Sequence, residues 1–326
     1  MKKNLDLKKV VLVGTGFVGM SMAYSMLNTG GVDELVLIDV DKEKTIGEAM
    51  DLSHGLPYAQ SKMKIKAGDY IDCKDADVVV ITAGAAQKEG QTRLELTAIN
   101  TKITKSITEQ VMASGFDGII VVAGNPVDLM AYVAHKVSGL PANRVIGSGT
   151  ILDTARLRYA IGEYLNISSA NVHAYILGEH GDTSFVPWMN AYIGTKSLME
   201  YVVEHKENMD ELHKIYIGVQ QAAYEIISRK KATYYGIGLS LNRLVQAILN
   251  DEDSIFTVSV YQQGEYIEED LYIGVPTVIN RNGIREVINL NLNNNDKKKF
   301  LHSCATLKEI IDNEIKPILW KLEQGF

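Results

Sequence analysis

Little cysteine, no long run of one charge sign and no apolar stretch of bilayer length mark this 326-residue chain, and each absence removes a class of function. The two cysteines, Cys73 and Cys304, lie far apart and show no metal-ligand spacing, so they read as two buried free thiols in a reducing cytoplasm, with no metal site. Lys and Arg number 33 against 40 Asp and Glu, giving a formal charge of −7 spread without long blocks. That argues against a nucleic-acid or anionic-membrane surface. Internal repeats and low-complexity tracts are absent as well. Lys2, Lys3, Lys8 and Lys9 precede an apolar run and imitate a signal peptide, but Gly14, Gly16 and Gly19 interrupt the run and no convincing small-residue cleavage site follows. A cytoplasmic location is expected.

What is present is apolar content: 46% hydrophobic residues suffice for a large core and predict two closely joined domains. The organising stretch is Val10 to Gly19, VVLVGTGFVG, a strand-type run entering Gly14-Thr15-Gly16-Phe17-Val18-Gly19 ahead of an amphipathic helix pattern. Glycine at those three positions permits a tight turn, close approach of a pyrophosphate, and helix-on-strand packing. The phosphates then meet the unpaired N–H groups of the helix start. A second strand, Glu34 to Asp39, ends in an acid 20 residues beyond Gly19. That acid accepts from ribose hydroxyls and repels a 2′-phosphate, which favours NAD over NADP.

Further along, helical spacing runs from about Lys42 to His54, followed by strands at 63–67, 77–82, 118–123 and 144–147 with helices between. The alternation predicts an α/β fold, a Rossmann-type doubly wound parallel sheet over residues 1–148. Ligands bind beyond the carboxyl ends of such strands, so the loops at 14–19, 83–91 and 123–126 are expected to converge. From Gly149 the texture changes. A helix carrying Asp153, Arg156 and Arg158, a Gly178-Glu-His-Gly-Asp-Thr183 loop, helices near 209–229 and 234–250, strands at 255–261, 270–279 and 283–290, and a helix from about Lys297 predict an α+β catalytic domain over 149–326.

Reducing a carbonyl needs a proton donor, a carboxylate clamp and a group that polarises the carbonyl. His180, between glycines in a loop, is the candidate donor. Asp153 is the expected partner of its other ring nitrogen, with Asp182 the nearer competitor in sequence. Arg156 suits a bidentate clamp, which Lys cannot match in geometry. Arg93, at the end of the polar loop, can swing over a substrate, and Asn125 before Pro126 can position nicotinamide and substrate.

The motifs GTGFVG, ITAGAAQKEGQTRLEL, GNPVDL, GSGTILDTARLRY, LGEHGDTS, KATYYGIG and YIGVPTVINRNGI, in that order from Gly14 to Ile284, resemble the L-lactate/L-malate dehydrogenase family, and within it the bacterial L-lactate branch. The resemblance implies reversible reduction of pyruvate to L-lactate by NADH. It implies His180 as acid/base, Asp153 as its partner, Arg156 as clamp and Arg93 as mobile arginine, with Asn125, Asp128 and Thr233 as further substrate contacts. For the cofactor it implies Gly14, Gly16, Val18, Gly19, Asp39, Lys44, Tyr70, Gly84, Ala85, Ser106, Ala123, Asn125 and Ser148. Gln87 stands where malate enzymes place Arg; a buried second carboxylate without its cation costs several kcal/mol, so Gln87 favours pyruvate. Arg158 and His173 match the residues that bind fructose 1,6-bisphosphate between subunits of an activated homotetramer. Ala86, Glu89, Gln91, Gly124 and Lys231 depart from the family pattern and put substrate range and turnover in question. A relaxed 2-hydroxyacid or malate dehydrogenase, or an NAD-binding protein with decayed catalysis, stays open at this point.

Overall fold

The computed structural model of the protein describes residues 7–60, 62–85, 93–267 and 269–323. Six parallel strands come first: β1 (Lys9–Val13), β2 (Glu34–Ile38), β3 (Lys64–Ala67), β4 (Val78–Ile81), β5 (Ile119–Val122) and β6 (Val145–Gly147). They lie in the order β3-β2-β1-β4-β5-β6, and α1 (Phe17–Thr29), α2 (Lys42–Gly55), α3 (Arg93–Ala113) and α4 (Val127–Ser138) connect them. Every residue of β1, β4 and β5 is buried, which explains the apolar runs Val10–Val13, Val78–Ile81 and Ile119–Val122: a strand covered on both faces has no polar side to alternate with. α4 is buried from Val127 through Ala134, so it belongs to the core.

The second half begins with α5 (Ile151–Leu165) and a small antiparallel sheet of β7 (Val172–His173), β8 (Tyr192–Ile193) and β9 (Lys196–Ser197). Then follow α6 (Leu198–Glu204), α7 (Met209–Lys230), α8 (Tyr235–Leu249), β10 (Ser254–Tyr261), β11 (Tyr272–Asn280), β12 (Gly283–Val287) and α9 (Asn294–Ile310). A π-helical turn, Ile311–Ile315, leads to α10 (Lys316–Glu323).

The change of texture at Gly149 does not interrupt the sheet. β10 pairs antiparallel with β6 through Ser259 and Gly147, so β10, β11 and β12 extend the six parallel strands to nine. Gly149 makes room for this, since it sits at φ +51° and a Cβ there would come within 2.4 Å of the Ser259 nitrogen. One core therefore runs through the nine-stranded sheet, while a second gathers Leu157, Ile161, Val172, Val186, Leu198 and Leu212 from α5, the small sheet and its connecting loop, α6 and α7.

Element edges moved where side chains cap them. The last long helix starts at Asn294 instead of Lys297, because the Asn293 side chain accepts from the N–H groups of Asn295 and Asp296. The strand expected to reach Leu290 stops at Val287, after a register shift between Val278 and Ile279 on its partner. Among the described residues no helix is long and apolar enough to cross a membrane.

Candidate active site

At the carboxyl end of β1, Gly14 takes φ +109°, and a Cβ there would lie 2.5 Å from the Ala83 nitrogen. A Cβ on Gly19 would lie 2.1 Å from the Gly14 carbonyl, so helix and strand meet only without a side chain. Gly16, in contrast, is exposed and has open space around its Cβ position just before α1. The turn is thus closed inward and open outward, the shape a pyrophosphate needs.

Asp39 follows β2 and faces this turn. Its Oδ2 accepts from the Thr15 N–H at 2.6 Å and the Thr15 hydroxyl at 3.1 Å, and its Oδ1 from the Asp41 N–H at 3.2 Å. Burial would raise its pKa, but those bonds and the nearby Lys44 charge hold it below the usual carboxylate value. Lys44 itself donates to the Thr15 carbonyl at 2.6 Å. Tyr70 lies near enough to feel Asp39; burial above all pushes its phenol up to about 12. An anion at a strand end beside an open glycine turn fits a dinucleotide with a free ribose diol. Val18 is half-buried on α1 against the core.

The ends of the neighbouring strands meet the same edge. Ala123 N–H donates to the Ile81 carbonyl at 2.9 Å and Ser148 N–H to the Val122 carbonyl at 2.7 Å, while Gly84 and Ala85 continue from β4. Asn100 of α3, which sequence reasoning did not single out, joins two of these ends: it bonds both Ala85 and the Asn125 carbonyl. Ser106 is exposed on α3, with its carbonyl accepting from Gln110.

Beside these loops lies the titratable cluster. His180 Nδ1 is 2.7 Å from Asp153 Oδ2, and the other carboxylate oxygen, Oδ1, accepts from Arg156 at 2.9 Å. Asp153, not Asp182, is the partner of the ring. The His180 backbone N–H donates to Asp128 Oδ2 at 2.8 Å, and Asp128 Oδ1 accepts from the Ser259 hydroxyl at 2.5 Å. Asp128 is buried with both oxygens engaged, and burial pushes its carboxyl up to about 6 against those bonds.

Burial alone would depress the His180 pKa. The hydrogen bond to Asp153 and the charges of Asp153 and Asp128 outweigh it, so the net displacement is upward. Asp153 is held below the usual value: burial opposes ionisation, while His180 and Arg156 favour it. An ionised Asp153 can only accept, which places a hydrogen on Nδ1 and leaves Nε2 for exchange with a substrate.

Three threonines set this arrangement. Thr150 donates to the Ile176 carbonyl at 2.6 Å, Thr154 accepts from the Ile176 N–H at 3.0 Å, and Thr257 of β10 donates to Thr154 at 2.7 Å. They pin α5, which carries Asp153 and Arg156 one turn apart, to the segment leading into His180. On the far side Ser303 of α9 accepts from the Glu179 N–H at 2.6 Å. No local sequence pattern announces these contacts. A cavity of about 100 Å³ beside His180 is lined by Thr97, Pro126, Asp128, Leu129, Glu179, Leu307, Ile310 and Glu314. A larger cleft of about 550 Å³, between Glu265–Ile267 and the start of α9, contains none of these groups.

Thr233 is half-buried between α7 and α8, and Tyr234 next to it stacks on Phe17 with centroids 5.1 Å apart, bringing the segment to the glycine turn. Lys231 adopts φ +72°, a conformation that favours glycine. Arg93 opens α3, but its side chain lies outside the described residues, as do Gln87 and the departures at Ala86, Glu89 and Gln91. Arg158 of α5 reaches the Ser169 carbonyl at 3.4 Å, and His173, on β7, is exposed. Among the described residues no group of three or more His, Cys, Asp or Glu could hold a metal ion.

Nearly all of the chain finds counterparts among known proteins. The family description "lactate/malate dehydrogenase, NAD binding domain" matches residues 8–147, and "lactate/malate dehydrogenase, alpha/beta C-terminal domain" matches 150–317. The curated L-lactate dehydrogenase 2 of Bacillus cereus is 55% identical over 310 residues, covering 95% of this chain and 98% of its own. A crystal structure of MGS-M5, a lactate dehydrogenase from a Medee basin deep-sea metagenome library, superposes with a TM-score of 0.92 at 55% identity, over 94% of this chain and 98% of its own. The ligand-bound minor L-lactate dehydrogenase of Enterococcus mundtii gives the same TM-score at 50% identity, with the same coverage. With a glycine turn and acid built for a dinucleotide, and both halves of the chain matched, the protein belongs to the lactate/malate dehydrogenase family and takes NAD as its cofactor.

Proposed function

We propose that the chain is an L-lactate dehydrogenase that interconverts pyruvate and L-lactate. The observation that carries this reading is the single carboxylate of Asp153, which holds His180 on one oxygen and Arg156 on the other. NAD, when bound, supplies hydride donation and acceptance at the keto carbon. The protein's own groups do the rest. Arg156 keeps N–H donors beyond the one engaged by Asp153, enough to bind a substrate carboxylate as a fork. That orients the keto oxygen towards His180 Nε2. In reduction the imidazolium gives its Nε2 proton to that oxygen; in oxidation the neutral ring takes it back. Asp153 stabilises the charged ring and fixes its tautomer. In this reading Arg93 polarises the carbonyl and Asn125 and Thr233 position the substrate; Asp128, expected as a further substrate contact, has its two oxygens engaged by the His180 N–H and the Ser259 hydroxyl and supports the His180 loop.

The choice of pyruvate over oxaloacetate rests on Gln87 and on the names of the relatives. The cofactor assignments at Gly14, Gly16, Val18, Gly19, Asp39, Lys44, Tyr70, Gly84, Ala85, Ser106, Ala123, Asn125 and Ser148 belong to the same proposal. So does activation by fructose 1,6-bisphosphate at Arg158 and His173 in a homotetramer, for which His173 is exposed and can carry the positive charge a bisphosphate needs. A cytoplasmic location agrees with two buried free thiols.

NADH oxidation measured with pyruvate, oxaloacetate and 2-oxoisocaproate, each with and without fructose 1,6-bisphosphate, tests these statements together. Pyruvate should give the highest kcat/KM, and the bisphosphate should raise it. Faster turnover of oxaloacetate would reject the reading of Gln87.

A further inference from the structure

We propose that Asn100 is a positioning residue for the reaction, locking the loop end that carries Gly84 and Ala85 to the loop end that carries Asn125. The proposal rests on the functional reading above and adds to it a residue whose side chain bonds the backbone of both loop ends.

Asn100 sits in α3 with only 3% of its surface exposed. Its Oδ1 accepts from the Ala85 N–H at 2.7 Å. Its Nδ2 donates to the Ala85 carbonyl at 3.3 Å and to the Asn125 carbonyl at 2.7 Å. One carboxamide therefore pairs with both backbone groups of Ala85, as a neighbouring strand would, and ties them to the turn after β5. Neighbouring polar side chains of α3 behave differently. Thr101 and Thr108 return their hydroxyls to the helix's own carbonyls, and Thr104 points to the Met130 sulfur. Asn100 instead reaches out of its helix to two loops at once.

Those loops end β4 and β5, adjacent strands in the sheet. Beyond their ends the backbone ladder stops, and no strand pairing fixes how far apart Ala85 and Asn125 stand. The Asn100 carboxamide supplies that fixed spacing. With its carbonyl held from behind, Asn125 is exposed at the site edge, where its side chain can meet a ligand. Reaction rates fall steeply when reacting groups shift by about 1 Å, so this spacing acts on the chemical step more than on affinity.

The test uses Asn100→Ala, which removes all three bonds, and Asn100→Asp, which keeps an acceptor for Ala85 but has no donor for Asn125. Each full-length variant is compared with the wild type for NADH affinity by fluorescence, for kcat and KM, for the primary isotope effect with NADH deuterated at the transferred position, and for Tm. Rates are taken on whichever 2-oxo acid the wild type reduces fastest, so an error about pyruvate does not register as an error about Asn100. In both variants kcat should fall by about ten- to a hundredfold with NADH affinity within about threefold, and the isotope effect should rise as hydride transfer becomes limiting. A kcat within twofold of wild type in either variant overturns the proposal. So does a loss explained by a smaller folded fraction with an unchanged isotope effect.

Discussion

His180 Nδ1 and Asp153 Oδ2 stand 2.7 Å apart, one on the loop after the Ile176 segment, the other in the first turn of α5. Because the pair lifts the His180 pKa above its ordinary value, the sign of the pH dependence follows. Reduction needs the imidazolium, so kcat/KM for pyruvate holds at low pH and declines as pH rises through the raised pKa. Oxidation needs the neutral ring and rises through the same pKa. Asp153→Asn removes the lifting charge: the reductive decline should move to lower pH, and kcat should drop by about 10²-fold or more. Profiles of both directions, measured on wild type and variant, check this.

Arg156 presents a planar fork held by Asp153 at 2.9 Å. Arg156→Lys keeps the charge but loses the bidentate geometry. We expect kcat/KM for pyruvate to fall by about 10²-fold or more, equivalent to roughly 3 kcal/mol, with NADH affinity unchanged. Steady-state kinetics together with NADH titration separate the two effects.

Asp39 is anionic beside the open glycine turn, which disfavours a 2′-phosphate. Asp39→Ser should weaken NADH binding by about tenfold, as expected for the loss of a charged hydrogen-bond acceptor, and should narrow the preference for NADH over NADPH. Competing titrations with the two cofactors measure the ratio.

Lys231 holds φ +72° where α7 ends, with its N–H bonded to the Ile227 carbonyl at 2.8 Å. Lys231→Gly should relieve that strain and stabilise the fold by up to about 1 kcal/mol, partly offset by the greater freedom of glycine in the unfolded chain. Urea denaturation reports it as a higher midpoint at unchanged slope.

The sequence made some of this plain and hid the rest for identifiable reasons. Gly14, Gly16, Gly19 and Asp39 act through local backbone shape and a fixed interval, and the parallel strands through unbroken apolar runs, so both could be read directly. The pairing of His180 with Asp153 was a choice between two acids, made in space by Thr150, Thr154 and Thr257, whose hydroxyls carry no periodic mark. Asn100 hid among the polar positions of a long helix. The joining of β10 to β6 was invisible too, because strand patterns say which residues are buried and not which edge a strand will find. β7, β8 and β9, at two residues each, are too short to leave a period.

The most direct test of the account is turnover by His180→Asn, a variant that keeps a polar side chain in place of the imidazole but cannot deliver its proton. Single-turnover reduction of pyruvate with NADH already bound should slow by about 10³-fold while NADH affinity stays at the wild-type value. Turnover within tenfold of wild type, in a variant that binds NADH normally, would contradict the assignment of proton transfer to His180.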